Sequence, residues 1–491
     1  MGTMYSRVSS LEDYFSPFRR KIIGHDQPFT TSFGLQRILY ADWTASGRGY
    51  EPIESKMRDE ILPFFANTHT TSTITGETMS IAYEEAKALI KEHVHAGEDD
   101  VLIFCSSGMT AAVSKLQRIL GLRLPERFMD YVQCLRLDEA ERPLVLVTHM
   151  EHHSNHISWL ETIATVEVIR PAEDGNVDLE HLRQLLERYR HRKNKIAAVT
   201  ACSNVTGIET PVHAIAAMMH SYGGLCFVDY ACSAPYVHIN MHPGAGAELG
   251  ADFGADLDAA NPGADQGADL DAIYFSFHKF LGGPGTPGVL IFNSKLYKNR
   301  VPDQPGGGTL LYSNPWKVHE YISDIELRED GGTPPILQGI KAAMCIGLKE
   351  EMGVEKILQR EEEMLELIFE RMEKIVGIEI LGPRRRRLGI VSFTVKNAHY
   401  DLIVKMLNDR FGVQTRGGCS CAGTYGHMLL GIDEGESLDI LRSLRAGEMW
   451  RKPGWVRLSI HPTMTDAEID YIMDAVEATL DEVVSGAGAA R

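Results

Sequence analysis

The sequence predicts an α/β protein, with a mostly parallel central sheet in a large domain and a smaller α+β domain after it. Two observations predict this. Through the middle of the chain, short apolar runs alternate with helical stretches, the pattern of buried parallel strands whose sheet is covered on both faces. After about residue 305 the texture changes to long helical stretches with few strands.

The elements follow in order. Residues 101–104 form an apolar run that leads into a helical segment over 110–120. Residues 144–147 are the next strand, followed by a helix around 157–165. A strand at 166–169 precedes a helix near 179–189, and runs at 196–200, 225–228, 273–275 and 289–292 complete the set. In such sheets ligands sit at the carboxyl ends of the strands. Beyond residue 305, a helical stretch covers 338–375 with an interruption near Gly353. A strand at 390–395 and helices at 400–411 and 465–484 come next. The basic run Arg384 to Arg387 reads as a solvated turn. The expected organisation is an N-terminal segment, 1–39, packing with the small domain. The large domain spans 40–304 and the C-terminal small domain 305–491.

Residues 242–269 repeat Gly-Ala-Asp at Gly250, Gly254, Gly263 and Gly267. The spacing matches neither an EF-hand loop nor a nonapeptide calcium repeat, so the segment reads as a flexible surface insertion.

Composition narrows the function. A chain of 491 residues has room for two to three domain-sized units. Its net charge of -18 repels phosphate backbones, so nucleic acid is not an expected partner. No stretch reaches the length of a membrane helix, and the first 30 residues lack the apolar core of a secretory signal. The start, Met1-Gly2-Thr3-Met4-Tyr5-Ser6, fits a short and common myristoylation pattern. Eight scattered cysteines read as reduced thiols of a cytoplasmic protein. Cys419-Ser420-Cys421, with no second cluster, gives little ground for zinc, and no metal is expected.

The chemistry begins at Phe275-Ser276-Phe277-His278-Lys279-Phe280, followed by Leu281-Gly282-Gly283-Pro284-Gly285. A lysine directly after a buried strand is unusual. Burial makes its amine nucleophilic towards an aldehyde. Pyridoxal phosphate (PLP) is such an aldehyde, and the other parts it needs follow strands of the same sheet. Asp229 ends an apolar run and can keep a pyridine nitrogen protonated. Ser107, Gly108, Met109 and Thr110 open a helix after a strand and offer backbone amides to a phosphate. Ser276 and His278 can donate to the same phosphate. His152 follows the strand ending at Val147 and can lie on a ring face, and Asn204 can donate to a phenolic oxygen.

Taken together, Glu151-His152-His153-Ser154-Asn155, Ser203-Asn204-Val205-Thr206-Gly207, Val228-Asp229-Tyr230-Ala231 and Ser276-Phe277-His278-Lys279 resemble the class V aminotransferase family of fold-type I PLP enzymes. Within it they are most similar to the cysteine desulfurases and selenocysteine lyases. The likeness runs from Tyr40-Ala41-Asp42-Trp43-Thr44-Ala45 to about His461. It implies that Lys279 is the Schiff-base lysine, that His152 stacks on the ring and that Asp229 pairs with its nitrogen. Ser276, His278 and Thr110 would bind phosphate, and Cys232 is expected among the cofactor-binding residues. It implies a homodimer, with Thr333 reaching the phosphate from the other subunit.

The loop Gln414-Thr415-Arg416-Gly417-Gly418-Cys419-Ser420-Cys421-Ala422-Gly423 addresses the reaction. In the desulfurases an arginine here binds the substrate carboxylate, and a cysteine five residues later attacks the substrate sulfur. Arg416 and Cys421 keep that spacing. The resemblance therefore implies release of alanine from L-cysteine, a persulfide on Cys421 and a possible sulfur-acceptor protein. Asn67 and His69 are expected to bind the small amino-acid substrate.

The sequence departs from the desulfurase pattern at three points. Cys232 stands where they carry glutamine, and Cys419-Ser420 where histidines often precede the loop cysteine. Asn67-Thr68-His69-Thr70 matches their Asn-x-His-Arg segment only loosely. Cys419 is open as nucleophile, resolving partner or bystander. Transamination, or PLP-driven elimination or epimerisation of another small amino acid without a cysteine nucleophile, is the alternative.

Overall fold

The computed structural model describes residues 10–68, 72–131, 137–244, 268–384 and 387–484. His69, the Gly2 pattern and most of the Gly-Ala-Asp segment lie outside these residues. The chain divides into two compact units. The large one comprises residues 55–203 and 209–346; the small one comprises residues up to 54, 204–208 and those from 347 on.

Seven strands build the sheet of the large unit: β1 (Asp100–Cys105), β2 (Leu144–Thr148), β3 (Thr165–Ile169), β4 (Lys195–Thr200), β5 (Leu225–Asp229), β6 (Ala272–Ser276) and β7 (Gly288–Asn293). Their order is β1-β7-β6-β5-β4-β2-β3. β2 runs parallel to β3 and β4, as do β4 with β5 and β5 with β6. β7 alone is reversed, lying antiparallel between β1 and β6. Every residue of β1, β2, β4 and β6 is buried, as both faces of a helix-covered sheet require. This is the α/β architecture, with a mostly parallel sheet, that the alternating pattern predicts.

One consequence of β7 positions the site. Because β7 is reversed, its first residue lies at the edge where the other strands end. Gly288 pairs with Cys105 on one side and Ser276 on the other. A Cβ there would lie 2.2 Å from the carbonyl carbon of Gly108, so only glycine lets these strand ends close up.

Helices Gly108–Ile119, His153–Leu160, Leu179–Arg188 and Val212–Ser221 follow β1 to β4. The second starts four residues before the expected 157, because His152 caps it: its Nδ1 accepts from the Ser154 N–H at 3.1 Å. Its first turn, His153-Ser154-Asn155-His156, is polar and hides the start from an apolar pattern.

In the small unit, β8 (Ile378–Ile380), β9 (Ile390–Val395), β10 (Arg416–Gly418) and β11 (Trp455–Ser459) form an antiparallel sheet in the order β8-β9-β11-β10. The helical stretch expected over 338–375 is two helices, Ile336–Met352 and Val354–Met372. They break at Gly353, whose φ of +77° suits glycine. The arginine run is not wholly solvated. Arg387 is buried and donates to the Pro383 carbonyl, and Arg384 pairs with Glu373. No helix among the described residues is long and apolar enough to cross a membrane.

Candidate active site

In the large unit, the site residues collect at the carboxyl ends of β1, β2, β5 and β6. β1 ends in a turn through exposed Ser106 and Ser107 to Gly108, whose φ is +62°. A Cβ on Gly108 would meet the Ser276 Oγ at 2.7 Å and the His278 Cδ2 at 3.9 Å. The helix start, Ser276 and His278 therefore share one small space. Ser276 Oγ accepts from the Met109 N–H at 2.7 Å, which leaves its own hydroxyl hydrogen to donate outward. Met109 is thereby already engaged, and its side chain belongs to the core. Thr110 Oγ1 lies 2.7 Å from Ser154 Oγ, which ties this helix start to the one capped by His152. A helix start with two hydroxyls and an imidazole beside it is a fitting cradle for a phosphate-sized anion.

Lys279 ends the single turn Phe277–Lys279 after β6. Burial, and then the Lys279 charge, push the His278 imidazole down to about 4, so it is neutral at ordinary pH. Burial pushes the Asp229 carboxyl up to about 6, while the Ala231 N–H at 2.8 Å and the nearby Lys279 charge pull it down. A desolvated carboxylate at a strand end, facing few donors, is suited to pairing with a protonated ring nitrogen.

Beneath it lies a network that sequence reasoning assigned no role. Glu151 Oε1 accepts from Thr148 Oγ1 at 2.6 Å and from the Thr200 N–H at 2.9 Å, and its Oε2 from Asn155 Nδ2 at 2.8 Å. Asn155 Oδ1 in turn accepts from the Tyr274 hydroxyl at 2.6 Å and the Trp159 Nε1 at 3.3 Å. Burial pushes the Glu151 carboxyl up to about 8, with the Asp229 charge adding to the shift. This network locks β2, β4 and β6 at the level of the site. Its signal was an acid and an amide four residues apart directly after a buried strand.

Cys232 is buried. Asn67 and Thr333 meet, the Asn67 Nδ2 donating to Thr333 Oγ1 at 3.4 Å. Thr333 lines a cleft of about 520 Å³ together with Ser106 and the ion-paired Lys115, Arg118 and Glu329.

In the small unit, Asp42 is the organising acid. Its carboxylate accepts from Arg457 at 2.8 Å and from the Arg416 Nε at 2.9 Å. Arg457 is buried and also donates to the Asn204 carbonyl at 3.0 Å, whereas Arg416 is half exposed. The Asn204 Nδ2 donates to the Ser420 carbonyl at 2.7 Å. Cys421 is exposed and Cys419 half-buried. The Asp42 carboxylate raises the Arg416 guanidinium beside it further above its ordinary value. Asp42 and Arg457 were not foreseen; their trace in the sequence is a charged residue inside an otherwise buried apolar run.

The aminotransferase class V family matches residues 39–255 and 264–472. This chain belongs to the class V aminotransferase family. It is accordingly a PLP-dependent enzyme. A probable cysteine desulfurase of Halalkalibacterium halodurans is 27% identical over 393 residues, covering 78% of this chain and 84% of that one. One from Staphylococcus aureus is 28% identical, covering 79% and 84%. The apo structure of a cysteine desulfurase from Thermococcus onnurineus superimposes with a TM-score of 0.72 at 20% identity, over 98% of this chain and all of the other, and shares the fold.

Proposed function

We propose that this enzyme is a cysteine desulfurase that uses PLP to release alanine from L-cysteine and takes the sulfur onto Cys421. The observation that carries the reading is an exposed Cys421 five residues beyond a half-exposed Arg416 on one loop. The residues of the large unit fit the cofactor. The helix start at Gly108, with Ser276, His278 and Thr110, would hold its phosphate. Asp229 would face the ring nitrogen, His152 the ring, and Lys279 the aldehyde carbon. When bound, the cofactor supplies an electron sink that acidifies the α-proton and weakens the bond to sulfur.

The chain's own residues do the rest. Arg416 binds the substrate carboxylate through its planar fork. Lys279 takes the α-proton and returns a proton to the product. Neutral His278 and the Ser276 hydroxyl fix the phosphate end. The Cys421 thiolate attacks the substrate sulfur, becomes a persulfide and leaves alanine.

The family likeness supports a homodimer, and the seven free cysteines among the described residues fit a reducing, cytoplasmic setting. A sulfur-acceptor protein is the expected destination of the persulfide.

The test mixes PLP-loaded enzyme with L-cysteine and a thiol reductant and assays alanine and sulfide together. The proposal expects equal amounts of both, with no second substrate. Dependence on a keto acid would instead identify a transaminase and sink the proposal.

A further inference from the structure

Cys419 has no role in the reaction as described, yet it shares a tight turn with Cys421. The turn is closed by the Ala422 N–H donating to the Cys419 carbonyl at 2.9 Å. Its two central residues, Ser420 and Cys421, have φ of +49° and +57°. Consecutive left-handed central residues, neither of them glycine, make a strained turn of the primed type. The Asn204 side chain holds it through the Ser420 carbonyl.

Consecutive Cα atoms are about 3.8 Å apart, so alternate ones in such a turn fall within the roughly 4.4–6.8 Å that a disulfide accepts. Among the described residues no third ligand joins the two thiols. Both ring nitrogens of His427 are engaged, by the Gly423 carbonyl and the Ser437 hydroxyl.

We propose that Cys419 is a resolving thiol that expels the sulfur from Cys421 as sulfide. The inference rests on the desulfurase reading above and specifies the fate of the sulfur. The Cys419 thiolate attacks the Sγ of the Cys421 persulfide. The bond between the two cysteine sulfurs forms, the bond from Sγ to the outer sulfur breaks, and hydrosulfide leaves and takes a proton from solvent. The outer sulfur is reduced to sulfide as the two cysteines become a disulfide. An external dithiol then supplies two electrons and two protons to reopen it. The turn keeps the attacking thiol at high effective concentration. The exposure of Cys421 makes the disulfide accessible and labile to that dithiol.

The test is a single turnover of the full-length, PLP-loaded enzyme with L-cysteine after its reductant has been removed. Alanine, sulfide and the tryptic peptide carrying both cysteines are measured together. The proposal expects a burst of alanine matched by sulfide, and a wild-type peptide lighter by two hydrogens. Cys419→Ser should keep the alanine burst, lose at least about tenfold of the sulfide burst and carry a peptide heavier by one sulfur. A wild-type peptide heavier by one sulfur, with alanine but no sulfide, would overturn the resolving role and leave the desulfurase reading intact. No alanine from either protein would overturn both. The wild-type peptide decides the matter even if the variant fails to fold.

Discussion

The strand-end cluster of the large unit and the 416–422 loop of the small unit solve opposite problems. Around Asp229, Ser276 and Glu151, nearly everything is buried, hydrogen-bonded and held by strands on both sides. Around Cys421 the backbone is strained, the thiol is exposed, and one side-chain amide and one ion pair do the holding. Groups that tune a cofactor's electronics gain from a dry, fixed setting, where charges act at low dielectric and need not reorganise. On the proposed reading, a thiol that meets a substrate, then a resolving thiol or acceptor, gains from exposure.

Breaking the buried side should have the larger effect. Asp229→Asn keeps the shape but removes the carboxylate. Turnover should fall on the order of 10²-fold or more, with the substrate's KM changing little. The same variant tests the electrostatics of the cofactor-free protein. Burial raises Asp229 to about 6 and Glu151 to about 8, so the folded state holds protons that the unfolded chain releases near its ordinary carboxylate range. The stability they contribute is full at low pH and is lost as pH rises through those values. The melting temperature of the cofactor-free wild type should therefore decline between about pH 4 and 8, and Asp229→Asn should flatten the lower part of that slope.

On the exposed side, Arg416→Lys keeps the charge but loses the planar fork. KM for L-cysteine should rise roughly 10- to 100-fold with a smaller change in kcat, read from steady-state kinetics. Gly108→Ala sharpens the contrast at the cradle, where the added methyl would meet Ser276 Oγ at 2.7 Å on a left-handed backbone. It should cost about 1–3 kcal/mol by denaturant titration and weaken PLP binding in a fluorescence titration. Ser420→Gly, the smallest change, should stabilise the protein by about 0.5–1 kcal/mol. It relieves a left-handed residue whose buried hydroxyl finds no partner.

The sequence carried the large unit well because buried parallel strands write themselves as apolar runs. The candidate residues at their ends, from Gly108 to Asp229 and Lys279, followed from that register. Much of the small unit was illegible for the opposite reason. β10 is Arg-Gly-Gly, which has no apolar signal, and exists because β11 pairs with it. Asp42 and Arg457 are 415 positions apart, and only the fold makes them an ion pair. The left-handed turn at Ser420 and Cys421 is equally hidden, since neither residue type announces a positive φ. Gly288 was invisible as a site residue because its importance is the closeness of a neighbouring backbone.

The most direct test of the central claim is Cys421→Ala in the PLP-loaded enzyme, assayed for alanine and sulfide from L-cysteine with reductant present. The account predicts that both products fall by at least about 10³-fold while the visible absorption of the bound cofactor is unchanged. Undiminished production of alanine and sulfide in that variant would contradict it.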